Sequence, residues 1–295
     1  MNWFERMKSG ILTRIKREIP EGIWTKCQSC GEATFHHALE RRHWICPQCG
    51  SHFPIDHRKY VDLLMDEGTF QETETAISTA DPLRFRDHRR YAERIREARK
   101  KSGLNESICT GVGRLGGHPV ALGVMDTRYI LGSLGGATGE KICRLIDRAM
   151  ADQRTLVLVC QSGGARMQES TYSLMQMAKV SARLHRLADA GLLYITVLTD
   201  PTYGGVTASF AMLGDVILAE PGARVGFAGP AVIKQFLGIE DLPEGFQIAE
   251  TVQEHGFVDR VVPRGELAPT LARLIALLAP GAGADRGAAR RPVHG

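Results

Sequence analysis

Three segments of this sequence share one local order, in which an apolar strand, a glycine-rich turn and a helical stretch follow one another. They cover residues 132–150, 156–182 and 194–213. Strands that alternate with helices indicate βα units and a mostly parallel sheet. The order therefore predicts an α/β fold, which we place at residues 105–278.

The composition agrees with a folded protein of this kind. The chain has 295 residues, of which 43% are hydrophobic and 24% charged, and its net charge is +4. At about 150 residues per domain, this length predicts about two domains. No apolar run approaches the ~20 residues that cross a bilayer, and no export signal accompanies the seven cysteines. We therefore expect a cytoplasmic protein without a membrane partner and without disulfides.

Changes in composition along the chain divide it into five predicted parts. These are an amphipathic helix at residues 1–22, a cysteine-rich ribbon at 23–57, a charged helical connector at 58–104, the α/β domain at 105–278 and a disordered tail at 279–295. The tail is rich in glycine, alanine, proline and arginine, a composition typical of disorder. No internal repeat is evident.

Four cysteines form two C-x2-C pairs, Cys27 with Cys30 and Cys46 with Cys49, and residues 31–45 separate the pairs. This spacing is typical of a zinc ribbon. Four thiolates fill a tetrahedral shell and leave no position for a substrate water, so we predict one structural Zn²⁺. Two redox pairs or four free thiols are the alternative. With the cysteine set complete, the nearby histidines are expected to face solvent; they are His36, His37, His43, His52 and His57.

Two glycine-rich segments match phosphate-binding loops only in part. Residues 111–116 fit G-x-G-x-x-G, but another strand follows at residues 120–125 where a Rossmann loop opens a helix. A strand-turn-strand hairpin explains this segment better. In residues 132–141, Glu140 separates the last glycine from Lys141, so the G-K-[ST] ending is missing. Neither segment predicts nucleotide binding.

Paired glycines between a strand and a helix make Gly163, Gly164, Gly204 and Gly205 candidate catalytic residues. Such turns expose backbone N–H groups that stabilise an oxyanion, and the missing Cβ lets a carbonyl approach closely. The alternative is that these glycines only permit tight turns. No Ser-His-Asp, Cys-His or paired-carboxylate arrangement stands out in the sequence. An enzyme built on this chain would therefore depend on backbone electrostatics and a carried cofactor.

Longer stretches of the sequence resemble one known family, the β subunit of bacterial acetyl-CoA carboxylase carboxyltransferase. The similar stretches are MNWFERMKSGI at the start, GIWTKCQSCG at 22–31, SGGARMQES at 162–170, SLMQMAK at 173–179, LTDPTYGGVTASFAMLGD at 198–215 and AEPGARVGFAGPAVI at 219–233. The resemblance extends to about Arg264. It implies a crotonase-like (ClpP/crotonase) domain with an N-terminal four-cysteine zinc ribbon.

The resemblance also implies a reaction and its partners. The family transfers a carboxyl group from carboxybiotin, held on the biotin carboxyl carrier protein, to acetyl-CoA, which gives malonyl-CoA for fatty acid biosynthesis. Carboxybiotin supplies both the CO2 and the base, and a separate biotin carboxylase uses the ATP. The family works as an α2β2 complex with a separate α subunit. Gly204 and Gly205 match its oxyanion glycines, and Gly163 and Gly164 match a second active-site turn.

Some residues depart from the family pattern and leave other functions open. Tyr203 stands where the family has Met or Thr, and Gln161 replaces a small residue. These changes allow a pathway-specific or inhibitor-resistant paralogue that acts on acetyl-CoA or another acyl-CoA. No pattern singles out the residues that hold the CoA phosphates, and Arg166 and Lys141 are guesses on a par with surface charges.

A function from a different class is a zinc-ribbon protein that binds nucleic acid. Basic residues crowd segment 84–101, although Asp87, Glu93 and Glu97 interrupt them. A run of this kind is usually a solvated helix face. We therefore keep nucleic acid as a secondary partner, which a steep loss of affinity with salt would reveal.

Overall fold

The structure is a computed structural model that describes residues 24–279. The helix predicted at residues 1–22 lies outside this range, as does the predicted tail apart from Ala279. Within the range, no helix is long and apolar enough to cross a membrane.

Short strands and helices alternate through most of the described chain. The strands are β1 (Trp24–Lys26), β2 (Ala33–Phe35), β3 (Gln71–Thr73), β4 (Ile108–Leu115), β5 (His118–Met125), β6 (Thr155–Ser162), β7 (Tyr194–Tyr203), β8 (Val216–Ala219), β9 (Val225–Gly226) and β10 (Arg260–Val261). The α-helices are α1 (His36–Arg41), α2 (His57–Leu64), α3 (Tyr91–Ser102), α4 (Gly136–Ala151), α5 (Thr171–Asp189), α6 (Gly204–Thr207), α7 (Pro230–Leu237), α8 (Ala249–Glu254) and α9 (Leu267–Leu278). Short 3-10 turns cover Ile130–Gly132, Met167–Glu169, Phe210–Met212 and Arg264–Glu266.

The main sheet has the strand order β10-β8-β7-β6-β5-β4-β3, with β9 beside the end of β7. From β5 to β10 neighbouring strands are parallel, and α4 and α5 connect β5 to β6 and β6 to β7. Strands β4 and β5 form the antiparallel hairpin that the sequence predicts in place of a dinucleotide loop. Strand β3, from the predicted connector, extends the sheet at its edge.

Helices cover both faces of this sheet, and β6 shows why. Its side chains are all buried, as expected for a strand enclosed on both faces. Leu156 and Leu158 pack in the cluster that contains residues of α4 and α5, whereas Val157 and Val159 pack with residues of α2 and α9. The remaining cysteines, Cys109, Cys143 and Cys160, are buried.

One local prediction was wrong, and one predicted apolar helix face is exposed. The sequence places a helix at residues 207–213, but α6 ends at Thr207 and a 3-10 turn follows. The periodicity also places Leu174, Met175 and Ala178 on one apolar face of α5, and the structure leaves that face exposed. The buried face of α5 instead carries Ser173, Gln176, Val180, Leu184 and Leu187. Periodicity locates an apolar face, but it does not say which neighbour covers it.

Candidate active site and metal centre

The two predicted glycine turns meet at the carboxyl ends of β6 and β7. These strands are parallel neighbours, so their following turns emerge at the same edge of the sheet. A Cβ built on Gly204 would lie 3.1 Å from the Cα of Gly164, and one on Gly164 would lie 3.3 Å from the Cα of Gly204. Both glycines have positive φ. Because of this close approach and the positive φ, a side chain at either position would be strained, which favours glycine.

The other two predicted glycines, Gly205 and Gly163, differ in how much space a Cβ would have. A Cβ on Gly205 would lie 3.0 Å from the sulfur of Met177 and 3.6 Å from the amide nitrogen of Ala165. A Cβ on Gly163 would meet Leu131 at an ordinary 3.4 Å. The close packing therefore explains Gly164, Gly204 and Gly205, and the role of Gly163 stays a prediction.

Ala165 is a site residue that the sequence analysis did not single out. It forms a parallel bridge with Leu134. The Leu134 N–H donates to the Gly164 carbonyl, and the Arg166 N–H donates to the Leu134 carbonyl. In a parallel bridge the central residue turns its own N–H to the opposite side. The Ala165 amide therefore faces Gly205, in the first turn of α6, where backbone amides have no acceptor within the helix. The one feature of the sequence that could have indicated Ala165 is its position directly after the Gly163-Gly164 pair.

Two amides that face one gap can donate to a single oxygen, which is the arrangement of an oxyanion hole. A helix dipole adds little to this arrangement. Helix α6 has only four residues, from Gly204 to Thr207, so few peptide dipoles add up. The available stabilisation therefore comes from the amides of Ala165 and Gly205 themselves.

Arg166 is buried and fixes the first turn in place, which contradicts the guess that it holds CoA phosphates. Its guanidinium is fully enclosed and pairs with Glu106 and, at 3.2 Å, with Glu169. It also donates to the Ser133 carbonyl at 2.7 Å and to the Tyr91 hydroxyl at 3.2 Å. Burial by itself lowers the pKa of Arg166, but the Glu106 carboxylate outweighs it and raises the pKa above its usual value.

Lys141 is likewise buried, on the sheet-facing side of α4, and cannot reach a ligand at the surface. It forms no ion pair with any residue between 24 and 279. Desolvation lowers the pKa of Lys141. Both guesses for phosphate contacts were therefore wrong, because the sequence around a basic residue does not show whether its side chain is buried.

Tyr203 and Gln161, the two departures from the family pattern, are both buried. Among the described residues, the Tyr203 hydroxyl and the Gln161 Oε1 have no hydrogen-bond partner. Burial raises the pKa of Tyr203, so its hydroxyl stays protonated. The ring lies 3.9 Å from where a Cβ of Gly229 would be. Tyr203, the residue before Gly204, thus has a buried hydroxyl without a partner among the described residues.

The four predicted metal ligands meet in the ribbon. The sulfurs of Cys27, Cys30, Cys46 and Cys49 all lie within 4.8 Å of one another, with Cys27 to Cys49 at 3.7 Å and Cys30 to Cys46 at 3.8 Å. A tetrahedron with zinc–sulfur distances of ~2.3 Å has edges of about 3.8 Å. The spacing therefore fits a zinc ion held by four thiolates.

The thiol environment supports the same ion. The Ser51 hydroxyl, together with backbone amides, lowers the pKa of the Cys27 thiol to about 6. A backbone hydrogen bond at Glu32 lowers the pKa of Cys30, but burial and the neighbouring sulfurs raise it to about 12. Four thiolates repel one another in this space, and a divalent cation removes that repulsion.

Two ribbon-proximal histidines were wrongly expected to face solvent. The His57 ring is buried, with its Nδ1 2.7 Å from Asp126 Oδ2. The His52 Nδ1 lies 3.2 Å from Glu220 Oε2, at the contact between the ribbon and the sheet. Both rings pair with carboxylates far away in the sequence, which local reasoning cannot foresee.

Comparison with known proteins gives matches over almost all of the described chain. The family model of the carboxyl transferase domain matches residues 57–282, and that of the acetyl-CoA carboxylase zinc finger domain matches residues 24–49. The acetyl-coenzyme A carboxylase carboxyl transferase subunit beta of Synechococcus elongatus is 52% identical over 265 residues, which is 90% of this chain and 87% of that protein. The protein of the same name from Nostoc punctiforme is 51% identical over 95% of this chain and 89% of its own length.

Solved structures share the fold at lower identity. The Pseudomonas malonate decarboxylase MdcD-MdcE hetero-dimer matches with a TM-score of 0.60 and 23% identity over 77% of this chain and 88% of that chain. Transcarboxylase 12S matches with a TM-score of 0.65 and 21% identity over 81% of this chain and 42% of that chain. At these identities the likeness shows the fold alone.

A crotonase-like α/β domain with converging amide turns, preceded by a four-cysteine ribbon, defines a biotin-dependent carboxyl transferase. Within that class, the chain belongs to the family of acetyl-CoA carboxylase carboxyl transferase beta subunits. The resemblance, the fold class and the enzyme class predicted from the sequence are confirmed.

Proposed function

We propose that this chain transfers the carboxyl group of carboxybiotin to acetyl-CoA and forms malonyl-CoA for fatty acid biosynthesis. The observation that carries the proposal is the close approach of the Ala165 amide nitrogen to Gly205, at a gap where Gly164 and Gly204 leave no side chain. The names of the relatives, at about half identity over most of the chain, support the same substrate.

The chain's own contribution is to stabilise negative charge on the thioester oxygen. As the acetyl methyl group loses a proton, charge builds on that oxygen, and the amides of Ala165 and Gly205 donate to it. One donor of this kind is worth about 3–4 kcal/mol of the barrier. Carboxybiotin, when bound, supplies the carboxyl group and the base, so the chain needs no side-chain base. Arg166 holds the first turn rigid and does not take part in proton transfer.

The ribbon holds one structural zinc ion in this proposal. Cys27, Cys30, Cys46 and Cys49 fill its coordination shell, which leaves no position for a substrate. The ion therefore stabilises the ribbon and its contact with the sheet, and it does not act on the thioester.

Exposed apolar surface supports a partner subunit. Helix α7 has no buried residue although it carries large apolar side chains: Val232 is 61% exposed and Phe236 is 87% exposed. On α5, Leu174 and Met175 are also exposed, the latter to 62%. Exposed apolar side chains grouped on a helix are typical of protein contacts. We assign it to a carboxyltransferase α subunit in an α2β2 complex, served by the biotin carboxyl carrier protein and by a biotin carboxylase that uses ATP.

The reverse reaction tests the proposal without the other components. The chain, co-purified with its cognate α subunit, is given malonyl-CoA and free biocytin, and acetyl-CoA is measured with and without biocytin. We expect biocytin-dependent acetyl-CoA. Absence of turnover from a zinc-loaded complex would contradict the proposal. Faster turnover of methylmalonyl-CoA than of malonyl-CoA would identify the paralogue with another acyl group.

A further inference from the structure

A cleft of about 570 Å³ opens from the candidate active site toward the charged connector. Its inner end is formed by Gly163 and Ala165, which belong to the first active-site turn. Its outer wall is formed by one side of α3, including Arg94 and Lys101. The volume is that of an ordinary ligand site. The cleft therefore connects the reacting centre with the most basic segment of the chain.

The outer wall is strongly cationic. Segment 84–101 has nine basic and three acidic residues, a larger positive excess than the +4 of the entire chain. The accessible charged residues of the cleft are Arg89, Arg94, Lys101, Arg128 and a single acid, Glu97. Arg166 also borders the cleft, but Glu106 and Glu169 already neutralise it.

Part of this positive charge has no partner within the protein. Arg89 pairs with Glu97, and Arg94 pairs with Asp87 through its Nη2. The Nε of Arg94, however, is buried without a hydrogen-bond partner among residues 24–279. Lys101 is exposed and forms no ion pair within the same residues. The Arg94 Nε is enclosed, so the group that the cleft offers to an anionic ligand is the exposed ammonium of Lys101.

The space between the two ends is apolar. Ile130, Leu131 and Met167 line it, and Leu131 and Met167 are 69% and 80% exposed. A ligand that fills the cleft thus has an acyl end, a thin and partly apolar arm, and a polyanionic head. Acyl-CoA has this order: a thioester, the pantetheine arm and the nucleotide phosphates.

We propose that α3 of the connector supplies the phosphate-binding wall for acyl-CoA, with Lys101 as its direct contact and Arg94, which also lines the cleft, adding positive charge beside it. Lysine binds a phosphate as a point charge, and arginine adds directed hydrogen bonds. The proposal rests on the proposed function, because the inner end of the cleft is the proposed oxyanion site. It replaces Lys141 and Arg166, which are buried, with residues that a ligand can reach.

Equilibrium binding of CoA tests this wall without requiring turnover. The complex of this chain with its α subunit is titrated calorimetrically with CoA and with pantetheine, which lacks all the nucleotide phosphates. We expect Lys101→Met to weaken CoA binding about tenfold, the effect of losing one charge-assisted contact, and to leave pantetheine binding unchanged. Lys101→Arg should restore CoA binding.

Lys100→Met is the matched control, because Lys100 is the exposed neighbour on the same helix and does not line the cleft. Equal CoA affinities for the Lys101→Met and Lys100→Met complexes would overturn the proposal, as would a complex that does not bind CoA. A complex that binds CoA through Lys101 but transfers no carboxyl group would support the wall and contradict only the proposed function.

Discussion

Glu220 and Arg264 form a buried ion pair that joins the zinc ribbon to the sheet. The Arg264 Nη2 lies 2.6 Å from Glu220 Oε2, and its Nη1 donates to the Phe53 carbonyl at 2.9 Å. Tyr60 and His52 complete the cluster through hydrogen bonds to the same carboxylate. The ribbon is therefore anchored by a charged group at the end of β8 and not by apolar packing alone.

Glu220→Gln should destabilise the chain and do so in a pH-dependent way. Burial raises the pKa of Glu220, but Arg264 and His52 outweigh it and lower the pKa from 4.5 to about 2. The charged form thus adds about 3 kcal/mol above pH 4.5, and this is lost as the pH falls from 4.5 toward 2. Urea unfolding should show a loss of about 3 kcal/mol at pH 7 that shrinks toward pH 3. Glu254→Gln, at an exposed position, is the control, and a loss that does not change with pH would contradict the prediction.

Gly205→Ala keeps its own N–H, but its methyl group obstructs the Ala165 amide, so kcat of the reverse reaction should fall about 100- to 1,000-fold, as when one oxyanion donor is lost. The added methyl group meets Met177 at 3.0 Å and crowds the Ala165 amide. Gly117→Ala is the control, since its turn has open space, with nothing within 4 Å. That variant should lose stability because of its positive φ but keep its kcat. Equal kcat values for the two variants would remove Gly205 from the site.

Lys141→Met should stabilise the chain at pH 7 by about 1 kcal/mol, the usual size of a stabilising substitution. Desolvation lowers the pKa of Lys141 in the fold, so between that pKa and 10.5 the unfolded chain binds more protons. The wild type therefore gains stability as the pH rises through this window, and the advantage of the variant shrinks. Denaturant titrations at pH 7 and pH 10 measure this, with Lys100→Met as the control. A destabilised variant at both pH values would show that the ammonium group is paired in solution.

Tyr203→Phe should raise the free energy of unfolding by about 1 kcal/mol, because the lost hydroxyl is buried without a partner. Tyr194→Phe is the matched comparison, since the Tyr194 hydroxyl donates to the Phe210 carbonyl at 2.8 Å. That variant should lose about 1 kcal/mol. Thermal or urea unfolding of both distinguishes them, and a loss of stability in Tyr203→Phe would indicate a partner for its hydroxyl.

Cys46→Ser should abolish zinc binding and unfold the ribbon, because metal binding and folding of such small domains are coupled. Elemental analysis of the purified chain should give one zinc per wild-type chain and none for the variant. Cys143→Ser should keep its zinc, since Cys143 packs in the hydrophobic core, with its sulfur 3.8 Å from the Lys179 carbonyl of α5. Zinc loss from both variants would mean that the ion is held elsewhere.

Much of the fold and part of the site could be predicted because they depend on residues close together in the sequence. The strand bounds at Val216–Ala219, the β4–β5 hairpin and the cysteine knuckles all follow from local spacing and periodicity. The exposure of one apolar face of α5 could not be predicted, because the same apolar pattern occurs in helices that pack on the core and in helices that contact another subunit. Likewise, Lys141 looks like a surface lysine until the helix is packed on the sheet.

The sequence by itself determined the zinc ligands, the alternation of strands and helices, and the glycines that permit a close backbone approach. Tertiary structure alone decided that the Ala165 amide faces Gly205, that Arg166 is enclosed by Glu106 and Glu169, and that Arg264 reaches the ribbon. These relationships join atoms from distant parts of the chain. Hydrogen-bond direction and burial depend on which surfaces meet, and that is settled only when the sheet and its helices are assembled.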